Sequence, residues 1–279
     1  MLSAIYVLLS QGLVLVFSIV EIPNFAQAGI YMVGAYVSYL CFKWAHVTAV
    51  VSLLAAFVVT GLIGAVLWYA LFKRQMTHPR ADMFVTAFGA LVILQTGCAL
   101  IFGPEAKGYR LAPGGSRQLF GLIPLERIWI VGVTIVIGGI LWLLVERTML
   151  GRAMRAVAQN RFAADALGMN SEWIALAALI VGSGLGGIAG SLLGGLTGVN
   201  PSTGAAILLQ IFAIVVVGGM GSLRGAVVTS IAMGIGQSFL GYYASEYTNL
   251  LFFGAMFLIL LVRPQGLFGE SQSGVVEAS

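Results

Sequence analysis

Nine apolar runs, most of them close to twenty residues long, follow one another along this 279-residue chain, and all but two of the breaks between them are ten residues or fewer. They cover 2–20, 26–42, 47–72, 83–103, 128–145, 173–195, 205–218, 226–243 and 249–262. An apolar stretch of about 18 residues or more is long enough to cross the hydrocarbon core of a bilayer. Two runs, 205–218 and 249–262, are short for a full crossing. Lipid offers no hydrogen bonds, so each run must satisfy its own backbone as a helix or half-helix. With 59% hydrophobic and 9% charged residues, no large soluble domain fits beside the runs. The expected fold class is therefore all-α: one polytopic integral membrane domain over 1–279 with eight to nine transmembrane helices.

The few charges orient it. Lys73, Arg74, Arg80, Arg147, Arg152, Arg155, Arg161, Arg224 and Arg263 fall on one side of the expected membrane, and Lys43, Lys107, Arg110, Arg117 and Arg127 on the other. The positive-inside rule makes the first side cytoplasmic, with the N-terminus outside and the C-terminus inside. The same rule accounts for the formal net charge of +4, which therefore does not point to nucleic acid. The N-terminal run lacks a basic start and a small-residue cleavage site, and reads as a retained span. Trp44, Trp129 and Trp173 stand at expected span ends as interfacial anchors. Cys41 and Cys98 lie in apolar surroundings and read as packing residues, not as a disulfide.

Two stretches interrupt the apolar pattern. Glu21-Ile22-Pro23-Asn24-Phe25-Ala26-Gln27-Ala28-Gly29 lies near the start, and Gly218-Gly219-Met220-Gly221-Ser222-Leu223-Arg224-Gly225 near the end. Pro lacks an amide donor and Gly exposes backbone, so both leave polar main-chain groups at or near membrane depth. Such groups persist where protein or a water-filled cavity satisfies them. Paired interruptions in two halves of a chain, as two interrupted helices of an inverted repeat, point to a transport path. Glu21, Pro23, Asn24, Phe25, Gln27, Gly218, Gly219, Gly221 and Ser222 are its candidate lining. Ordinary turns between adjacent spans fit the same residues. Glu21 is either an intramembrane carboxylate with a function or an interfacial one exposed to water. A separate signal, Gly182, Gly186, Gly190 and Gly194 beside Ser183, Gly187, Ser191 and Gly195, is a double small-residue stripe for close helix packing.

Catalysis has little to stand on. His46 and His78 both fall in expected loops, so His and Cys cannot assemble a metal site. No GxxxxGK[ST] phosphate loop occurs, and no Gly-x-Ser-x-Gly elbow has a strand–turn–helix setting. The chain reads as a non-enzyme with no cofactor of its own.

One polar, basic island breaks the apolar chain: GRAMRAVAQNRFAADALGMN at 151–170. It has helical composition, and on the residues alone it fits either a protein partner or anionic lipid at the membrane surface. Together with PNFAQAGIYMVGAY (23–36), VVVGGMGSLRGAVV (215–228) and LVRPQGLFG (261–269), it resembles the permease subunits of branched-chain amino-acid ABC importers. This is the Liv-type family, and the match is nearest its LivH-like branch. Gln27 stands where the family usually has His, and Ala28-Gly29 replaces a common Gly-Glu or Gly-Ala.

The resemblance implies an inner-membrane permease domain that pairs with a second, LivM-like permease, two ATP-binding subunits and a periplasmic solute-binding protein. ATP would bind only to the partner subunits. It also implies that 147–172 is a coupling segment docking on the ATPase, with Gly151, Arg152, Arg155, Ala156, Ala163, Ala164 and Gly168 as its contact residues. Branched-chain or other small amino acids are the implied cargo, with urea or short amides carried by close relatives. From a different class, an ion-coupled secondary carrier would need intramembrane charges, of which Glu21 is the one candidate.

Overall fold

The structure, a computed structural model, describes residues 1–20, 24–45, 47–75, 80–109, 111, 118–119 and 123–269. Glu21, Pro23, His46, His78, Arg110 and Arg117 lie outside the described residues.

Each apolar run forms a helix. They are α1 (Leu2–Val20), α2 (Ala26–Trp44), α3 (Ala49–Leu67), α5 (Arg80–Phe102), α6 (Leu125–Arg147), α9 (Ser171–Thr197), α10 (Thr203–Gly218), α11 (Leu223–Tyr243) and α12 (Thr248–Val262). A π-helical turn, Trp68–Phe72, extends α3 into the short α4 (Lys73–Gln75). The polar island folds as α7 (Met149–Gln159) and α8 (Arg161–Ala166). Residues Gln118–Leu119 (β1) and Ile123–Pro124 (β2) pair antiparallel in the loop before α6. Among the described residues six helices are long and apolar enough to cross a membrane: α1, extended α3, α5, α6, α9 and α11. With α10 and α12 as shorter apolar helices, the chain is a polytopic all-α membrane protein.

The architecture is built around α9, which packs against α1, α2 and α3. Its small residues make that possible. A Cβ at Gly182 would lie 2.7 Å from the Gly12 carbonyl oxygen of α1, and one at Gly190 would run into the Tyr31 carbonyl of α2. On the neighbouring face, a Cβ on Gly187 would strike Thr60 of α3, and Ser191 Oγ donates to the Gly34 carbonyl of α2 at 3.0 Å. Backbones therefore meet where side chains would hold them apart.

These contacts also fix depth. At about 1.5 Å per residue, the 27 residues of α9 span roughly 40 Å, with their midpoint at Gly184. Gln27 sits against Gly182 and Gly186, so α2 starts halfway along α9 and runs parallel to it, bringing Tyr31 to Gly190 and Ala35 to Gly194. Gly204, in the first turn of α10, packs on the Ala28 carbonyl and Met32, so α10 also starts near mid-depth. It runs the opposite way, ending in the turn where Gly221 accepts a hydrogen bond from Ser18 near the end of α1. Thus α1–break–α2 and α9–break–α10 have the same plan in opposite directions, as inverted repeats do.

The second break lies at 198–202, not at 218–225 as the glycines lead one to expect. Lys73–Glu172, Arg155–Glu146 and Arg224–Glu146 pairs gather at one end of the helices, the end with the arginine and lysine excess.

Candidate functional site

At mid-depth the N-terminal ends of α2 and α10 meet. Asn24, buried, uses its Oδ1 to accept from the Ala26 amide at 3.1 Å, satisfying one of the free donors at the start of α2. Gln27, also buried, donates from Nε2 to the Gly182 carbonyl at 2.7 Å and so ties α2 to the centre of α9. Each amide keeps one polar atom, Asn24 Nδ2 and Gln27 Oε1, buried without a hydrogen-bond partner. Phe25 packs edge-on against Phe212 of α10, with ring centroids 5.9 Å apart, and against Phe84 of α5 at 5.7 Å. Asn24, Phe25 and Gln27 therefore brace the first break from inside the bundle and do not stand open beside it.

The second break is more open. Asn200 Oδ1 accepts from Ser202 Oγ at 2.7 Å and from Thr203 Oγ1 at 2.9 Å, forming a small polar cap at the head of α10. Below it Ala205, Ala206 and Leu209 are exposed along one face of α10. Gln210, on the adjoining edge, meets the Tyr6 hydroxyl of α1 at 2.7 Å, and Gln237 of α11 meets the same hydroxyl. A hydroxyl has one proton, so it donates to one amide and accepts from the NH2 of the other. This relay joins α1, α10 and α11. Sequence reasoning passed over it, although Tyr6, Gln210 and Gln237 are polar side chains inside apolar runs. Asn200, Ser202 and Thr203 were passed over too; the shortness of the 205–218 run was their signal.

The glycine turn at 218–222 is a capped surface turn. Ser222 Oγ accepts from the Gly225 amide at 3.1 Å, and Gly219 and Gly221 take positive φ of 100° and 95°. The chain after α12 folds back onto it: the amides of Leu267 and Phe268 donate to the carbonyls of Val217 and Gly218 at 2.9 and 3.1 Å. Those carbonyls, the free acceptors at the end of α10, are thereby satisfied. Unpaired backbone at membrane depth is thus not what Gly218, Gly219, Gly221 and Ser222 provide. The motif 261–269 instead clasps the end of α10.

The polar island forms a hairpin of two short helices at the end of the bundle where the Arg155–Glu146 pair lies. Thr148 caps α7 by accepting from the Gly151 amide, and Asn160 caps α8 by accepting from the Ala163 amide. Gly168, at φ 81°, ends α8. Asp165 Oδ1 accepts from the Ser171 hydroxyl at 2.5 Å and the Ser171 amide at 3.2 Å, which holds its carboxyl below the usual range.

The expected contact residues divide. Arg152, Ala163 and Gly168 are exposed, whereas Arg155 and Ala156 are half-buried. Arg155 donates to the Val145 carbonyl and pairs with Glu146 at 3.6 Å. Gly151 and Ala164 are buried, because Gly151 packs against the backbone at the end of α6 and Ala164 faces inward. Phe162 and Leu167, 85% and 80% exposed, stand out at the tip of the hairpin. Among the described residues no group of His, Cys, Asp or Glu could hold a metal ion.

Known proteins place this arrangement. One solved structure, described as PsaBC from Streptococcus pneumoniae in complex with Fab, shares the fold with a TM-score of 0.53 at 14% identity, over 95% of this chain and 90% of that one. The branched-chain amino acid transport permease BraD of Pseudomonas aeruginosa is 29% identical over 96% of this chain and 92% of its own length. LivH of Escherichia coli is 28% identical over 97% and 93%, and the probable LivH of Methanocaldococcus jannaschii 30% over 96% and 89%. LivM of Escherichia coli matches a shorter stretch, 43% of this chain. The family model described as branched-chain amino acid transport system / permease component matches residues 1–261, and the chain belongs to that family.

Proposed function

We propose that this chain forms one half of the solute path of a binding-protein-dependent ABC importer in a bacterial inner membrane, carrying branched-chain or other small amino acids. It works beside a second, LivM-like permease, two ATP-binding subunits and a periplasmic solute-binding protein. The reading rests chiefly on full-length kinship with the LivH and BraD permeases. ATP is handled by the partner subunits, and the permease is a moving part with no chemistry of its own.

The geometry suits this role. Two helices that both begin near mid-depth and meet there give a hinge-like locus that rigid-body rocking can open to either side. The exposed face of α10, from Ser202 through Ala206 to Leu209, is small and uncharged, and α10 carries no ionisable residue. A zwitterionic solute passes such a surface without being trapped. The N-terminal ends of α2 and α10 each present the positive end of a helix dipole.

At the cytoplasmic end Phe162 and Leu167 are apolar side chains presented on a hairpin that hydrogen bonds hold rigid. That is what a socket on an ATPase would grip, and lipid contact alone does not require the rigidity. Purification of the complex with its nucleotide-binding chains, followed by ATP hydrolysis against a panel of solutes, tests the reading. Stimulation by binding protein loaded with leucine, isoleucine or valine supports it. A permease that purifies alone and transports without ATP overturns it.

A further inference from the structure

At the outer end of the bundle, between α6 and α11, lies an open groove of about 670 Å³. Ile128, Val131 and Ile135, three and four residues apart, line it from one side of α6, with Met1, Leu2 of α1 and Ser238 of α11 opposite. Ser238 spends its hydroxyl within its own helix, on the Gly234 carbonyl at 2.8 Å. Among the lining side chains the one charged group is the Arg127 guanidinium, at the groove's outer end. Arg127 is exposed, and among the described residues no carboxylate pairs with it. Its neighbour Glu126 turns Oε1 into a buried position. Gly132 lies in the lining, and a Cβ there would meet nothing within 4 Å.

We propose that this groove holds one phospholipid of the outer leaflet, its phosphate on Arg127 and one acyl chain along Ile128, Val131 and Ile135. Dimension and charge both fit. From Arg127 to Ile135 is roughly 12 Å along α6, against about 15 Å for half of the hydrocarbon core. An arginine fork matches phosphate oxygens in paired hydrogen bonds, and the first turn of α6 adds its own partial positive charge. The bound lipid bridges α6 to α11 and braces the first turn of α1. Ser3 in that turn donates to the Ile231 carbonyl at 3.3 Å, and Tyr6 in the next holds α10 and α11.

Native mass spectrometry of the assembled transporter in mild detergent tests this, comparing phosphatidylglycerol with diacylglycerol of the same chains. Wild type should retain one phosphatidylglycerol per copy of this chain, at least ten-fold in preference to diacylglycerol, and free glycerol phosphate should not displace it. Arg127→Gln should abolish the preference. Gly132→Leu, which fills open space, should melt like wild type in lipid-free detergent yet lose retention of both lipids. No retained lipid, equal retention of the two by wild type, or an unchanged preference in Arg127→Gln overturns the proposal. The first of these is also the result expected if a partner subunit covers the groove, and transport by the complex is unaffected by that outcome.

Discussion

Gly182→Ala tests the close approach of α1 to α9. The added Cβ would lie 2.7 Å from the Gly12 carbonyl oxygen, 0.7 Å inside the 3.4 Å at which ordinary contact begins. Backbone cannot turn aside as a side chain can, so the helices must part by about that amount. A radial gap of 0.5–1 Å forfeits roughly a quarter to a half of each dispersion contact along the seam. Overpacking of this kind costs about 1–3 kcal/mol, and disturbing the adjacent Gln27–Gly182 hydrogen bond adds about 1 kcal/mol. A total of roughly 2–4 kcal/mol should lower the melting temperature in detergent by on the order of 4–12 °C. Gly139→Ala on α6 is the matched control: its Cβ meets nothing within 4 Å, and alanine is the better helix former by up to about 1 kcal/mol. It should melt at or above the wild-type temperature. Equal melting of the two variants would refute the packing argument.

Ala163→Arg, exposed beside Phe162, should leave the permease folded and abolish solute-stimulated ATP hydrolysis by the complex, whereas Phe162→Ala should weaken copurification of the ATPase; unaltered assembly and hydrolysis in both would place docking elsewhere. Ala164→Arg should instead unfold the hairpin, seen as faster amide exchange over 161–169, because that side chain faces inward. Since the Asp165 carboxyl is held below its usual range, its contribution to the hairpin is complete above that range and lost as pH falls through the lowered value. Ser171→Ala should move this loss to higher pH in an amide-exchange titration, and an unmoved profile would remove Ser171 as the cause. Gln27→Leu should cost about 1 kcal/mol in melting measurements, from the lost bond to Gly182; an unchanged melt would show that the bond contributes nothing.

Much of this was legible in the sequence because lipid allows so few answers. Run length and backbone satisfaction fix nine helices within a few residues, and the four-residue spacing from Gly182 to Gly194 marks the helix on which the others close. The pairing of the breaks was not legible. Glycines at 218–221 attract notice, but the positive φ of Gly219 and Gly221 serves a turn that the distant segment 263–269 completes, a contact no local pattern reveals. Asn200-Pro201-Ser202 looks like any outer loop; only the packing of Gly204 on Ala28 shows that it descends to mid-depth. In the hairpin, alanine composition announces a helix but not its facing, so the sequence does not show that Ala164 turns inward and Phe162 and Leu167 outward.

In the proposed importer, solute passes the mid-depth meeting of α2 and α10. Single cysteines in place of Ser202, exposed at the head of α10, and Ser222, in the surface turn, test it in the reconstituted complex with a small aqueous thiol reagent. Labelling at position 202 should change at least several-fold between the nucleotide-free and ATP-bound states, and leucine-loaded binding protein should alter it further. Labelling at position 222 should stay constant. If position 202 reacts equally in every state, or only position 222 responds, the path does not run through that junction.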